Sequence, residues 1–273
     1  MSATLVIEAS RGWSPLRLKE LWAYRELIYF LAWRDVKVRY KQTALGILWA
    51  VFQPFMTMVV FSVFFGALAG IPSDGLPYPL FALAALVPWM FFSNAVGTAA
   101  GSLLGNATLL TRVYFPRLAI PIAGIAAAAV DLVCTLGVFA LVAGYFRHAP
   151  GASLFLLPCV VVVAAVVALG VGIWLAALTA RFRDVRYLIP FFLQLWLFAT
   201  PVAYPSSLVP ARWQTLYALN PMVGVIDGFR SVLLGQPDMS FARLAWAAAV
   251  GMVVLVTGAL VFRRIERTLA DSV

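Results

Sequence analysis

Six long runs of apolar residues, separated by short polar or proline-containing segments, dominate the pattern of this chain. A helix needs roughly 20 apolar residues to cross the hydrocarbon core of a bilayer. Five of the runs exceed that length, and the fifth in order has 17 residues. The pattern therefore predicts an all-α polytopic membrane protein with six transmembrane helices. The runs lie near Ala44–Gly70, Pro79–Leu104, Leu118–Phe146, Ser153–Ala180, Leu188–Tyr204 and Ala242–Phe262.

The stretch from Leu18 to Lys41 follows a different pattern, in which apolar and charged side chains alternate at helical spacing. Its apolar and basic positions fall near different faces, which is typical of an amphipathic helix lying in the membrane interface. A helix packed on a soluble core is the alternative interpretation. The apolar positions are Leu21, Ile28 and Leu31, and the basic positions are Arg34, Lys37 and Lys41.

A 37-residue stretch before the last run, Pro205–Phe241, is too apolar for a solvated loop, yet its four prolines prevent a continuous span. Backbone inside a membrane must satisfy its hydrogen bonds within the protein. The stretch therefore predicts a re-entrant helical pair before the last span, roughly Leu208–Tyr217 and Asn220–Leu234.

Composition and charge refine this picture. Hydrophobic residues make up 63% of the 273 positions and charged residues 11%. In soluble domains, about half of the residues are apolar and about a quarter are charged. A balance of 20 Lys and Arg against 11 Asp and Glu can indicate nucleic acid, anionic lipid or the positive-inside bias of membrane proteins. With the N-terminus inside, 16 of these basic residues fall in cytoplasmic segments, and only Arg147, Arg212, Arg230 and Arg243 fall outside.

This split of basic residues predicts an even number of spans with both termini in the cytoplasm, and no nucleic-acid partner. We expect a single membrane domain over residues 1–273. It would comprise an interface helix region (1–43), a six-span part (44–262) and a cytoplasmic tail (263–273).

The sequence offers little catalytic chemistry. It has no Gly-rich loop ending in Gly-Lys-Ser/Thr, so we expect no nucleotide binding through a P-loop. The single histidine, His148, lies in a short external turn where we expect it to be solvated, and no metal site can be built around it. We therefore expect no catalytic residue, no metal and no cofactor in this chain.

Asp131 is the one acidic residue inside a predicted span. An acid in a membrane is a functional candidate because its burial is costly. The alternative is a protonated or hydrogen-bonded acid that faces another helix near Thr135. Proton coupling is the less favoured interpretation, because the sequence shows no basic partner within a span.

The most specific stretch is Arg34–Pro54, which reads RDVKVRYKQTALGILWAVFQP. It resembles the permease subunits of type-2 ABC exporters, in the branch that exports O-antigen, teichoic acid and capsule. Further segments look like the same family in the same order: Leu110–Arg117, Phe182–Pro190, Thr200–Pro205 and Asn220–Met222, the last continuing into Gly228–Arg230 and Leu234–Gly235.

This resemblance implies a transport subunit rather than an enzyme. Such permeases are homodimers in the bacterial inner membrane, each bound to a separate ABC ATPase subunit, so ATP and Mg would lie on the partner. The implied substrate is a polyprenyl-diphosphate-linked polysaccharide that crosses through a channel at the dimer interface. Alternatives are teichoic acid, capsule or a smaller lipid or drug as substrate, and a membrane enzyme acting on lipid-linked sugars.

The resemblance also implies roles for particular residues. Coupling to the ATPase would involve Thr111, Arg112, Tyr114 and Phe115, unless these only form a turn that obeys the positive-inside bias. Aromatic residues of the first and fifth spans are channel candidates, although each could equally face lipid or pack between helices: Phe52, Phe55, Phe191, Phe192, Trp196, Phe198 and Tyr204.

The re-entrant pair would gate the conduit or form a rigid external lid. Its key residues are Asn220 and Pro221 at the turn, and Asp227 and Arg230, which could pair at i,i+3. Four basic residues of the interface helix could attract the lipid diphosphate or anchor on phospholipid: Arg34, Lys37, Arg39 and Lys41. A stripe of Gly97, Gly101 and Gly105 would allow close helix packing, within the chain or, as the alternative, at a dimer contact.

Overall fold

Helices form most of the described residues in the computed structural model, which covers residues 18–41, 46, 48–112, 115–149, 151–235 and 240–270, without the side chains of 18, 111 and 267–270. The prediction of an all-α fold is confirmed for these ranges. The helices are α1 (Leu18–Ala23), α2 (Arg25–Lys41), α3 (Leu48–Phe61), α4 (Tyr78–Gly105), α5 (Ala107–Arg112), α6 (Ala119–Tyr145), α7 (Leu157–Arg181), α8 (Val185–Phe198), α9 (Ala211–Ala218), α10 (Pro221–Leu234) and α11 (Phe241–Ala270).

Within the described ranges, five helical segments are long and apolar enough to cross a membrane. Their bounds agree within four residues with five of the six predicted spans, because long apolar runs define such helices well. They are Leu48–Leu68, where a π-helical segment continues α3, Tyr78–Gly105, Ala119–Tyr145, Ala152–Arg181 and Phe241–Glu266.

The predicted fifth span is shorter than expected. Helix α8 has 14 residues and ends at Phe198, so it is about 21 Å long, against about 30 Å of hydrocarbon in a bilayer. Residues 199–204 are not helical, because Pro201 and Pro205 cannot continue a helix. This non-helical segment needs hydrogen-bond partners from elsewhere in the protein.

Helix α4 is the centre of the bundle. Of its most apolar 18-residue window, 78% is buried, against 17% for the span that begins with α3. It packs against α6, α7 and α10, and to a smaller extent against α3 and α8. Helices α3 and α8 therefore lie at the periphery of a single chain.

The two ends of the bundle differ in composition. At one end, here called the α2 end, an apolar cluster joins α2 to the ends of four long helices through Leu31, Leu103, Ile120, Ile173 and Phe262. At the other end, here called the α10 end, the buried face of α10 packs on α4, α7 and α11. The predicted helical pair is confirmed as α9 and α10.

Close helix packing depends on glycines of α7 and α11. A Cβ on Gly170 would lie 2.8 Å from a backbone nitrogen of α11, and a Cβ on Gly251 would lie 2.8 Å from a side chain of α7. The expectation of close packing at the α4 stripe is wrong for this chain. A Cβ would meet no described atom within 4 Å at Gly97, Gly101 or Gly105.

Helix α2 packs along α6. Its apolar side inserts Leu31 into the cluster at the α2 end, while Tyr29, Phe30 and Trp33 remain exposed on the chain. The face that points away from the bundle is therefore a mixture of aromatic and basic residues. The last turn of α2 reaches the middle of α6, which positions the polar cluster described next.

Candidate functional site

Asp131 lies at the centre of a polar cluster where α2 meets α6. Its carboxylate accepts hydrogen bonds from Arg39 Nη1 and Tyr40 OH, and Arg39 Nη2 lies 3.4 Å from Thr98 Oγ1 of α4. The side chain of Asp131 is 13% exposed. Burial, followed by the hydrogen bond and negative charge of Asp131, raises the pKa of Tyr40, so the phenol stays protonated and donates. Thr135 donates to the backbone carbonyl of Asp131, not to its carboxylate.

This cluster supplies the basic partner that the sequence did not reveal. Arg39 neutralises Asp131 from a helix that precedes it by 92 residues. The geometry agrees with the interpretation of Asp131 as a hydrogen-bonded acid facing another helix. This contact joins α2 to α6 and requires no proton transfer.

A polar cleft of about 300 Å³ opens beside this cluster between α2, α3, α4 and α6. Two amides, Gln53 of α3 and Asn94 of α4, line it, and neither side chain forms a hydrogen bond within the described part of the chain. The other lining residues are Arg39, Tyr40, Gly46, Trp49, Ala50, Pro54, Met90, Asp131 and Thr135.

The other basic residues of α2 have different surroundings. Arg34 Nη2 lies 2.7 Å from Asp35 Oδ1 and 2.8 Å from Asn106 Oδ1, which ties α2 to the end of α4. Lys37 Nζ lies 5.4 Å from the ring centroid of Trp33, and Lys41 is exposed. Arg34 and Arg39 are thus engaged within the chain, whereas Lys37 and Lys41 remain available to an anionic headgroup.

The predicted coupling residues lie near α5. Arg112, at the end of that helix, is exposed, whereas Phe115 is 5% exposed and belongs to the apolar cluster of the α2 end. Phe115 therefore anchors the loop from inside instead of forming part of the expected surface knob. Tyr114 and the side chain of Thr111 lie outside the described residues.

A second contact holds this loop against the last helix. Arg117 Nε lies 3.8 Å from Glu266 Oε1, and its Nη1 donates to the Glu266 carbonyl at 3.4 Å. The loop after α5 is therefore attached both to the apolar cluster and to the end of α11.

Most of the channel candidates face outwards from a single chain. Five of the seven have exposed side chains, which either lipid or a second protein surface would have to cover. These are Phe52, Phe55, Phe191, Phe192 and Phe198.

The remaining two channel candidates have structural partners. Trp196 packs edge-on against Phe92 with ring centroids 5.0 Å apart, and its Nε1 donates to Asn220 Oδ1 at 3.0 Å. Tyr204 OH donates to the Phe198 carbonyl at 3.0 Å. These contacts orient the end of α8 and the segment that follows it.

Arg230 satisfies the non-helical backbone after α8. It is 4% exposed, and its Nη2 and Nη1 donate to the carbonyls of Val202 and Tyr204 at 2.9 and 3.2 Å. Its guanidinium carbon lies 3.7 Å from the ring centroid of Phe81, a cation–π contact. Tyr78 OH donates to the adjacent Ala203 carbonyl at 2.7 Å, so three consecutive carbonyls are bound.

Asp227 pairs with Arg243 and not with Arg230, contrary to the i,i+3 expectation. Its Oδ2 lies 3.1 Å from Arg243 Nη1, and both carboxylate oxygens accept from Ser206 Oγ at 3.0 Å. Burial raises the pKa of Asp227, and the Ser206 hydrogen bond and the charges of Arg230 and Arg243 oppose that rise. Asp227 thus connects α10 to α11, while Arg230 connects α10 to the segment after α8.

Asn220 joins α8 to the start of α10. Its Oδ1 accepts from Met222 N at 3.0 Å as the helix N-cap, and Pro221 occupies the first helical position, where a missing N–H costs nothing. Its Nδ2 donates to the Ala199 carbonyl at 3.2 Å and to Thr200 Oγ1 at 3.0 Å. With the Trp196 contact, this amide makes four hydrogen bonds.

His148 lies at the other end of α10 and differs from the solvated residue expected. Its Nε2 is 3.1 Å from the Leu234 carbonyl, and Ser153 Oγ donates to the Val232 carbonyl at 3.2 Å. Both contacts satisfy carbonyls in the last turn of α10. Hydrogen bonds and an ion pair therefore hold helix α10 to the rest of the chain at both ends and in its middle.

Local sequence patterns indicated only part of this network. Tyr40 lies in the stretch that carries the family resemblance, but Tyr78, Ser206 and Arg243 were not singled out as site residues. Their partners lie 125, 21 and 16 residues away, respectively, and no local pattern predicts such pairs. Among the described residues, no group of three or more His, Cys, Asp or Glu could hold a metal.

Comparison with known proteins gives matches over most of the chain. The ABC-2 type transporter family matches residues 26–234. The O-antigen export system permease protein RfbA of Myxococcus xanthus is 30% identical over 260 residues, covering 94% of this chain and 98% of the relative. An O-antigen export system permease protein RfbA of Klebsiella pneumoniae is 23% identical, covering 90% of this chain and 94% of the relative. The polysialic acid transport protein KpsM of Escherichia coli is 22% identical, covering 88% of this chain and 93% of the relative.

Proposed function

Because the chain belongs to the ABC-2 type transporter family, we propose that it exports a polyprenyl-diphosphate-linked polysaccharide through a channel between two copies of itself. The chain is a multi-pass membrane permease, a transport subunit and not an enzyme. We further propose its substrate, its dimeric state and its orientation in the membrane.

The substrate proposal rests on the near-complete overlap with O-antigen export permeases. The Myxococcus xanthus relative aligns over almost its full length, so no large insertion or deletion separates the two chains. A polysialic acid transport protein also aligns over 88% of this chain, which makes an acidic capsule polymer the second candidate. Both relatives are named for the transport of saccharide polymers.

The dimer proposal is supported by the uneven burial of the long helices. The span beginning with α3 is 17% buried in one chain, and α8 exposes Phe191, Phe192 and Phe198. Two copies meeting along these helices would cover the aromatic rings. Sugar rings pack their apolar faces on aromatic surfaces while their hydroxyl groups remain hydrated, so such rings suit a conduit for a polysaccharide.

The coupling proposal places an ABC ATPase subunit, with its ATP and Mg, at the α2 end of each copy. Arg112 at the tip of α5 would contact that subunit, because arginine is a preferred interface anchor. Phe115, buried in the apolar cluster, would hold the loop in a defined position relative to the bundle. The contacts of Arg34 and Arg117 attach the same region to α2, α4 and α11. A displacement of α5 by the ATPase would therefore be transmitted to these helices.

The orientation proposal puts the α2 end and both termini in the cytoplasm of a bacterium, with the domain in the inner membrane. The excess of basic residues in the segments at this end supports it. Helices α9 and α10 would then lie on the outer side. We place the movable part of the gate in α9, whose Trp213 and Leu216 are exposed, because side-chain contacts hold α10 at both ends and in its middle.

The decisive experiment is ATP-driven export by the purified permease and its ABC ATPase in inside-out vesicles. We expect lipid-linked O-antigen polymer to become protected from an added glycosidase only when ATP and Mg are present. Lipid-linked polysialic acid tests the second candidate in the same assay. Movement of a short lipid or drug without movement of either polymer would contradict the proposal.

A further inference from the structure

The polar cleft between α2, α3, α4 and α6 has properties of a ligand site. Its volume of about 300 Å³ lies at the lower end of the range of about 300–1,000 Å³ for small-molecule sites. At about 30 Å³ per water molecule, it has room for one sugar ring with its hydroxyl groups and some remaining water.

Two amides that have no partner within the described residues favour a polar occupant of the cleft. An unpartnered amide away from bulk water costs free energy, and polar residues within membrane helices are usually satisfied. Gln53 is the sixth residue of α3 and Asn94 the seventeenth of the 28 in α4. Asn94 is half-buried and Gln53 is exposed on a single chain, so both amides take their partners from water or from a ligand with donors and acceptors of its own.

The charges around the cleft favour an uncharged ligand. Arg39 is the one cation and Asp131 the one anion among the described lining residues, and they are paired. A phosphate or diphosphate would meet the Asp131 carboxylate and would have to displace Arg39 from it. Hydroxyl groups, in contrast, can donate to Asp131 and accept from Arg39 without breaking the pair.

The geometry points to a saccharide-binding subsite in this cleft: we propose that Gln53, Asn94 and the Arg39–Asp131 pair bind the hydroxyl groups of one uncharged sugar residue, against the ring of Trp49. Planar amide, carboxylate and guanidinium groups can each engage two neighbouring hydroxyl groups. Trp49 is 48% exposed and stands edge-on to Phe52, with centroids 5.5 Å apart. Its indole thus offers an apolar surface at the margin of a polar site.

This inference rests on the proposed function for its choice of substrate class, since the sugar would belong to the exported polymer. It adds that the permease itself contacts a sugar at the junction of α2 with the bundle. A contact at this junction would bias the position of α2, because Arg39 belongs both to the subsite and to the α2–α6 attachment.

Saturation-transfer NMR on the purified permease tests the subsite directly. The probes are free glucose, galactose, mannose, rhamnose and N-acetylglucosamine, with sodium pyrophosphate as a competitor. We expect at least one sugar to bind, and Gln53→Leu and Asn94→Leu each to weaken that binding about fivefold, as expected for one lost neutral hydrogen bond. Gln214→Leu in α9, whose amide donates to the Val209 carbonyl at 3.4 Å, is the matched control and should bind as the wild type does.

The outcomes separate this inference from the proposed function. Wild-type export of lipid-linked polymer without sugar binding, or sugar binding that both leucine variants retain, would overturn the subsite alone. Competition by pyrophosphate would show an anion site instead and would also overturn it. Sugar binding that is lost in both variants, in a permease that exports no polymer, would support the subsite and contradict the proposed function.

Discussion

Arg230 of α10 donates to the backbone carbonyl of Val202 at 2.9 Å, inside the bundle and 28 positions away along the chain. This contact explains how a short α8 and the non-helical segment after it are tolerated within a membrane domain. Backbone carbonyls that no helix satisfies are acceptable there only when other protein groups bind them. Arg230 suits this task because its planar guanidinium presents several donors at once.

Replacing Arg230 by Met should destabilise the protein strongly. The variant leaves the carbonyls of Val202 and Tyr204 without their donors, and each unsatisfied buried group costs about 1–3 kcal/mol. We expect a clear fall in the melting temperature of the detergent-solubilised permease, followed by tryptophan fluorescence. Arg212→Met, an exposed arginine of α9, serves as control and should change little; equal melting temperatures for both variants would contradict the assigned role.

The Arg39–Asp131 contact predicts a non-additive double-mutant cycle. Arg39→Met and Asp131→Asn should each lower the melting temperature, because each leaves the other group without its charged partner. The double variant should lose less stability than the sum of the losses of the two single variants, and the difference is a coupling energy of about 1–3 kcal/mol. Lys37→Met combined with Asp131→Asn should be additive, and additivity in the Arg39 cycle would show that the two residues do not interact.

Asp131→Asn also separates a structural role from proton coupling. If Asp131 acts as the paired acid seen here, the variant keeps ATP-driven export at a reduced protein stability. The measurement is export in vesicles with and without an imposed acid gradient, normalised to folded protein. Loss of a gradient-driven component that the wild type possesses would instead assign a proton to Asp131.

Phe115 and Arg112 should give different defects although they lie three residues apart. Phe115→Ala removes a buried ring, which typically costs about 3–5 kcal/mol, so we expect a lower melting temperature and a proportional loss of transport. Arg112→Ala should leave the melting temperature unchanged and reduce the stimulation of the ATPase by the permease. Normal ATPase stimulation in the arginine variant would remove this residue from the coupling site.

The glycines of the α7–α11 contact should resist substitution. Gly170→Ala brings a methyl group 2.8 Å from the backbone nitrogen of Leu255, and overpacking typically costs about 1–3 kcal/mol. Gly97→Ala has free space in the chain and should gain up to about 1 kcal/mol from helix propensity. Melting temperatures check both variants, and a dimer lost in Gly97→Ala alone would show that a second copy covers that face.

Much of the fold was predictable because apolar runs of sufficient length form membrane helices whatever their neighbours. The bounds of five spans and the existence of the α9–α10 pair follow from such runs and from the prolines between them. The expected pairing of Asp227 with Arg230 failed for a reason specific to the fold. Their i,i+3 spacing permits a contact, but Arg243 and Ser206 satisfy Asp227 while two backbone carbonyls bind Arg230.

The sequence by itself determined that this chain is a helical membrane permease, since hydrophobicity, charge bias and the segments shared with a family are local properties of the chain. The tertiary structure decided which polar groups meet. Arg39 finds Asp131, Asn220 joins α8 to α10, and two amides face one cleft because helix packing brings distant positions together. Burying an unpaired polar side chain in an apolar interior costs free energy, and only the folded arrangement specifies which partner each side chain meets.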